Sequence, residues 1–210
     1  DPLTTITCPQ KVTADSGFDA FLHAAEPFIS KSANPLTDVI ALEAISMITK
    51  WIGPAYADGE NTEARYYMSL GSLLAGLVLN NSGTSLVHAL AYPIGGEYHV
   101  PHGPSLTCLV NSCFDYIMVA KQERFVQIAK AMGENVEGLS NREGAKLALD
   151  AINEVLLRLN LPRSLTDLNI TDKSKVDQWA IDGHSEQRLL SRSARKLSVE
   201  DIKKIYLNAF

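Results

Sequence analysis

The chain has 210 residues, 46% of them apolar and 20% charged, with a net charge of −5. That balance excludes global disorder and argues against a broad nucleic-acid or anionic-membrane surface. Three cysteines, Cys8, Cys108 and Cys113, are too few for a disulfide framework, and at this size a folded surface of roughly 9,600 Å² leaves about 70% of the unfolded chain's surface buried without metal or disulfide staples.

Most of the sequence reads as helix. Leu3–Thr7 is the one strand-like stretch, a short strand or a linker arm. Ser16–Ser30 forms a first helix that Pro27 kinks or ends, and Asn34-Pro35 breaks the chain after it. From Thr37 the apolar positions Ile40, Ala44, Met47 or Ile48, and Trp51 recur at helical spacing until Gly53-Pro54. A third helix over Thr62–Leu79 carries Ser69, Gly71, Ser72, Ala75 and Gly76, small residues that permit close packing. A fourth runs from Ser85 to Tyr92 and stops near Pro93, with Gly95-Gly96 beyond. Tyr66–Gly96 contains no charged residue, but its unbroken apolar run is only Leu73–Leu79. A membrane span needs about 20 apolar residues, so these are two core helices with a polar turn between them.

Gly103-Pro104 opens a fifth helix that carries Cys108 and Cys113 as core thiols. Phe125, Ile128, Ala129 and Met132 line a sixth, with Gly133 as its stop. Ser140–Glu143 is a capping box starting a helix that runs through Leu159. Arg163–Lys173 reads as loop, and Asp182–Arg195 has no clear periodicity. Ser198–Asp201 begins the last helix, whose apolar face is Val199, Ile202, Ile205 and Ala209. No glycine-rich phosphate loop and no alternation of strand and helix occurs. The expectation is one all-α domain. Asp1-Pro2 opens it without Met or a basic, apolar leader, so the chain is processed or part of something longer, and its odd thiol count fits a reducing, cytoplasmic setting.

Three of the five histidines, His88, His99 and His102, fall within fifteen residues, in a stretch where Glu97 is the one charge between Tyr66 and Phe114. Asp19 and His23 are four apart on the first helix, which puts both on one face and close enough to hold one ion. The plainer alternative is a helix-face hydrogen bond, with Asp19 answering the helix dipole. Pro101 and Gly103 shape the turn that presents His102. One carboxylate and three imidazoles make a donor set suited to Fe²⁺, Zn²⁺, Co²⁺ or Ni²⁺, and the lack of thiolate favours a catalytic over a structural site. His184 lies in a polar segment and reads as a surface residue.

Two stretches together, Gly17–Glu26 and His88–Gly103, resemble signatures of the iron-containing (group III) alcohol dehydrogenases. The first resembles that family's Gly-x-Asp-Ala-x-x-His-Ala-x-Glu helix. The second resembles its His-Ala-x-x-x-Pro-x-Gly…Pro-His-Gly signature. The resemblance covers nearly the whole chain. It implies the all-helical C-terminal domain of a dehydroquinate synthase-like architecture, with a separate N-terminal domain for NAD or NADP lying outside this chain. It implies Asp19, His23, His88 and His102 as ligands of Fe²⁺, with Zn²⁺ as the other choice. The substrate would be a small alcohol or its aldehyde or ketone, and the protein a homo-oligomer that binds neither nucleic acid nor membrane. Many members carry a second His four residues after the first signature His; Tyr92 stands there in this sequence. Its hydroxyl makes it a candidate catalytic proton relay, though a poor base near neutral pH, and the alternative is a pocket-wall aromatic. His99 lies in the loop between the two signature histidines and is a lesser candidate to touch substrate or metal, the alternative being a loop residue with no role in the site.

Two other readings stand beside this one. The same metal set could activate water for hydrolysis, with Glu26 or Glu97 as base. A degenerate domain kept for packing or oligomerisation would bind no metal.

Overall fold

A computed structural model describes residues 1–210. It contains ten α-helices and no strand, with an accessible surface of 9835 Å². The helices are α1 (Gln10–Ile29), α2 (Pro35–Ala57), α3 (Thr62–Ser82), α4 (Leu86–Tyr98), α5 (His102–Met118), α6 (Gln122–Ala131), α7 (Asn141–Arg158), α8 (Val176–Ser185), α9 (Gln187–Leu190) and α10 (Val199–Asn208). Each of α2, α3, α7 and α10 starts at a side-chain cap. Asn34, Ser140 and Ser198 form reciprocal capping boxes, and Asn61 accepts from the Ala64 amide. These caps satisfy N–H groups that a helix start leaves without partners.

One core cluster of 49 buried residues runs through the whole chain. α1 packs on α2 and α3, α6 packs on α7, and α4 lies against α5 and α8. Gly71 sets the approach of α2 to α3. A Cβ there would come within 2.8 Å of Ile48 Cγ1, so the contact needs a hydrogen at that position. Gly71 and Ala75 are buried in this seam, while Ser72 faces solvent and Gly76 meets nothing within 4 Å. Only part of the small-residue stretch therefore serves packing.

Several boundaries differ from the sequence expectation, each for a physical reason. The opening residues form a 3₁₀ turn, Pro2–Thr5, because the Asp1 carboxylate accepts from the Leu3 amide. α1 starts at Gln10 rather than Ser16, behind Pro9, which offers no side-chain cap to announce it. α2 continues through Gly53-Pro54 to Ala57. Pro54 lies on the solvent side, where water can reach the carbonyl it leaves unpaired, while the extra turn buries Ala55. α4 likewise continues through Pro93 and Gly95-Gly96 to Tyr98, buried at Leu86–Ala91 and Ile94, so packing overrides local propensity. Between Arg163 and Lys173 a single 3₁₀ turn, Thr166–Leu168, interrupts the loop. The segment Asp182–Arg195 holds the end of α8 and all of α9.

Cys108 and Cys113 are buried on α5, and all three cysteines are free. No single helix is long and apolar enough to cross a membrane; α3 and α4 together are, but they meet at 100° across Gly83.

Candidate metal centre

Asp19 and His23 project one turn apart from α1, His88 from the first turn of α4, and His102 from the first residue of α5. All three rings turn toward one carboxylate oxygen. Asp19 Oδ1 lies 3.2 Å from His23 Nε2, 3.3 Å from His88 Nε2 and 3.7 Å from His102 Nε2. Ligand atoms of Asp19, His23 and His88 all lie within 4.8 Å of one another; His102 stands just outside that group. The rings of His23 and His88 stack at 5.2 Å, and those of His88 and His102 lie 5.4 Å apart.

Local sequence explains this convergence. Asp19 and His23 meet because four residues make about one helical turn. His102 reaches them because Gly103 follows it: a Cβ there would come within 2.7 Å of Asp15 Cβ, so the start of α5 can touch α1 only with glycine. His88 is set by α1. Glu26, one turn beyond His23 on α1 and fully buried, accepts from the Val87 amide at 2.7 Å and from Ser85 Oγ at 3.2 Å through Oε1. Its Oε2 lies 2.6 Å from His88 Nδ1. At the other side of α4, the buried Tyr206 hydroxyl of α10 donates to the Leu90 carbonyl at 2.7 Å.

The centre is graded from closed to open. His88 is 4% exposed, whereas the His102 side chain is 48% exposed. The cluster is therefore open to solvent on the α5 side. Burial opposes charge on His88, but contacts with the Asp19 and Glu26 carboxylates outweigh it and push its pKa up to about 9. Burial also works against the Asp19 carboxylate, yet the His88 contact and the charges of the three rings hold its pKa below the usual value. Burial lowers the pKa of His23, and His88 and His102 add to this against the pull of Asp19.

The donor set fits a divalent cation. Asp19 Oδ1 and His88 Nε2 are both buried, and neither makes an aligned hydrogen bond although they face each other. Buried polar atoms without partners are uncommon and cost about 1–3 kcal/mol each. A cation between them would satisfy both, and three imidazoles with one carboxylate suit Fe²⁺ or Zn²⁺.

The remaining candidates lie differently. Tyr92 is one turn beyond His88 on α4 and 42% exposed. His99 is exposed, closing α4 in a left-handed conformation at φ 52°, and its ring is not among those that meet Asp19. His184 is half-buried on α8 rather than a surface residue, and it also stays outside the cluster. Glu97 accepts from Trp179 Nε1 at 2.6 Å and pairs with Lys175 at 3.3 Å. Sequence reasoning gave Glu26 only as a possible base. Its place seven residues after Asp19, on the same face of α1, was the available signal.

The chain resembles known proteins over its whole length. Residues 13–210 match the Fe-containing alcohol dehydrogenase family, C-terminal. The whole chain is 38% identical to 54% of the 1,3-propanediol dehydrogenase of Citrobacter freundii. It is 36% identical to 53% of the long-chain-alcohol dehydrogenase 1 of Geobacillus thermodenitrificans (strain NG80-2). The solved alcohol dehydrogenase from Oenococcus oeni superposes on the full chain with a TM-score of 0.96 at 35% identity, over 54% of its own length. The chain thus spans about half the length of the relatives it matches. On this match, its extent and the shared all-helical fold, the chain belongs to the Fe-containing alcohol dehydrogenase family, in that family's C-terminal region.

Proposed function

We propose that this chain is the metal-binding half of an NAD(P)-dependent alcohol dehydrogenase, with Asp19, His23, His88 and His102 holding Fe²⁺ or Zn²⁺. The observation that carries the reading is the convergence of three imidazole nitrogens on one buried carboxylate oxygen, with Asp19 Oδ1 and His88 Nε2 left without aligned partners. A divalent ion in this position supplies Lewis-acid polarisation of an alcohol or carbonyl oxygen during hydride transfer.

The residues divide the work. Asp19 brings the negative charge, and the histidine contacts that keep its pKa low keep it ionised at neutral pH. His88, stacked against the partly exposed His23, forms the closed side. His102, on the exposed side, leaves room for a small alcohol, aldehyde or ketone. In this reading Tyr92, exposed one turn along α4 from His88, is the candidate proton relay. NAD or NADP is held by a preceding domain, in keeping with the half-length match to full dehydrogenases. The exposed stripe Tyr66, Leu73 and Leu77 on α3 gives the chain an apolar face for self-association.

A hydrolytic role for the same centre is disfavoured because both carboxylates that could serve as base are engaged: Glu26 by Val87, Ser85 and His88, and Glu97 by Trp179 and Lys175. The four-donor cluster likewise argues against a domain kept only for packing.

Metal content after anaerobic purification tests the proposal. The wild-type chain should carry about one iron or zinc, and a variant with His88→Ala and His102→Ala should carry none. A folded wild-type chain that refuses added Fe²⁺ and Zn²⁺ would overturn it.

A further inference from the structure

Glu26 needs an explanation that packing does not give. It is fully buried among apolar neighbours on α1, where a carboxylate is costly unless each oxygen is bonded. Its two oxygens are divided between two tasks. Oε1 accepts from the Val87 amide and the Ser85 hydroxyl, closing the N-terminus of α4, whose Ser85 cap position makes no side-chain cap of its own. Oε2 is left for one atom, His88 Nδ1, at 2.6 Å. Of the three clustered rings, His88 is the one whose second nitrogen is hydrogen-bonded to a side chain.

We propose that Glu26 is a positioning residue that fixes the tautomer and direction of His88. Its Oε2 holds the single proton of the neutral imidazole on Nδ1, so the Nε2 lone pair points toward Asp19 Oδ1 and the ion site. The inference rests on the metal-centre reading above. A neutral imidazole has one N–H and one lone pair, and the nitrogen that keeps the proton cannot ligate. Without the carboxylate, the Nε2 proton could instead be drawn to Asp19 Oδ1, 3.3 Å away, which would close the site with a hydrogen bond. Glu26 removes that option by holding the proton on the far side of the ring. The same side chain sets the height of α4 through Val87, so one carboxylate fixes both where His88 stands and which nitrogen it offers. Carboxylate partners of ligating histidines are worth about 10–100-fold in metal affinity where measured.

The decisive variant is Glu26→Gln. Its amide oxygen can still accept from Val87 and Ser85, so the α4 cap persists. Its NH₂ faces Nδ1, and two donors cannot share that position, so the imidazole proton is driven to Nε2. Zn²⁺ affinity, measured by competition with a chromophoric chelator, should fall about 10–100-fold. Ser85→Ala, which removes a bond to the same carboxylate without touching Nδ1, should stay within about twofold of wild type. Ring ¹⁵N shifts of His88, recorded without metal at a pH where each ring is seen to have lost its second proton, should place the remaining proton on Nδ1 in the wild type and on Nε2 in Glu26→Gln. Wild-type Zn²⁺ affinity in Glu26→Gln, or a proton on Nε2 in the wild type, would overturn the assignment. The wild-type spectrum serves even if Glu26→Gln fails to fold. It also needs no ion, so a chain that binds no metal would sink the metal-centre reading while the tautomer is still decided.

Discussion

Asp19 Oδ1 and His88 Nε2 face each other across 3.3 Å of buried space without an aligned hydrogen bond. Around them, burial disfavours charge on His88, but the Asp19 and Glu26 carboxylates overcome it and push its pKa up to about 9. Below that value His88 carries a second ring proton, which any ion bound at Nε2 would have to displace.

That competition gives opposite pH slopes with and without metal. In the metal-free chain, a His88 pKa raised from 6.5 to about 9 stabilises the fold fully below the unfolded value, and the contribution is lost as pH rises through about 9. Ion binding requires Nε2 free of its proton, so stabilisation by Zn²⁺ grows over the same window. The difference in Tm between Zn²⁺-loaded and metal-free chain should therefore widen from pH 6.5 to 9. A difference that stays constant would show that His88 does not exchange a proton for the ion. On the acid side, Asp19, whose pKa is lowered, contributes stability above its unfolded value, and this is lost as pH falls through the folded one.

Two glycines on α3 should respond with opposite signs to the same substitution. Gly76→Ala meets open space and should raise stability by about 0.5–1 kcal/mol through helix propensity alone. Gly71→Ala places a Cβ 2.8 Å from the buried Ile48, and an overpacking cost of about 1–3 kcal/mol should exceed that gain. Urea unfolding of both variants checks the pair; stabilisation by Gly71→Ala would mean that α2 and α3 are spaced more widely than found here.

Thiol labelling should distinguish the three cysteines. Burial pushes Cys108 up to about 12 and Cys113 well above its ordinary value, so neither offers a thiolate at neutral pH. Iodoacetamide should modify only the half-buried Cys8 in the native chain and all three after denaturation. Native labelling at Cys113 would reveal opening of the α5 core.

Tyr92 is testable in a full-length enzyme carrying this sequence. If its hydroxyl relays the proton, Tyr92→Phe should lower kcat by about 10²-fold, with little change in KM and a shifted pH profile. An unchanged kcat would make Tyr92 a wall of the opening and no more.

The cluster of Asp19 with the three histidines was legible in sequence because much of its geometry is local. Asp19 and His23 share a helix turn, and His102 is framed by proline and glycine. The helix ends were legible where side chains cap them, as at Ser140 and Ser198. They were not where tertiary burial carries the chain through a breaker, as at Pro54 and Pro93. Contacts between distant segments left little trace. The bond from Tyr206 to Leu90 spans 116 positions, and Tyr206 does not stand out among the apolar residues of the last helix. The full use of Glu26 was hidden for the same reason, since its partners Ser85, Val87 and His88 lie about 60 residues further along.

The bond between Tyr206 and Leu90 also makes α10 a latch on the histidine helix. Tyr206 sits against Trp179 on one side and reaches the carbonyl two residues past His88 on the other. Trimming the chain before that tyrosine would free the back of α4 and let His88 drift from its partners. A nick ahead of α10 is then not a remote alteration, and the setting of His88 should loosen with it.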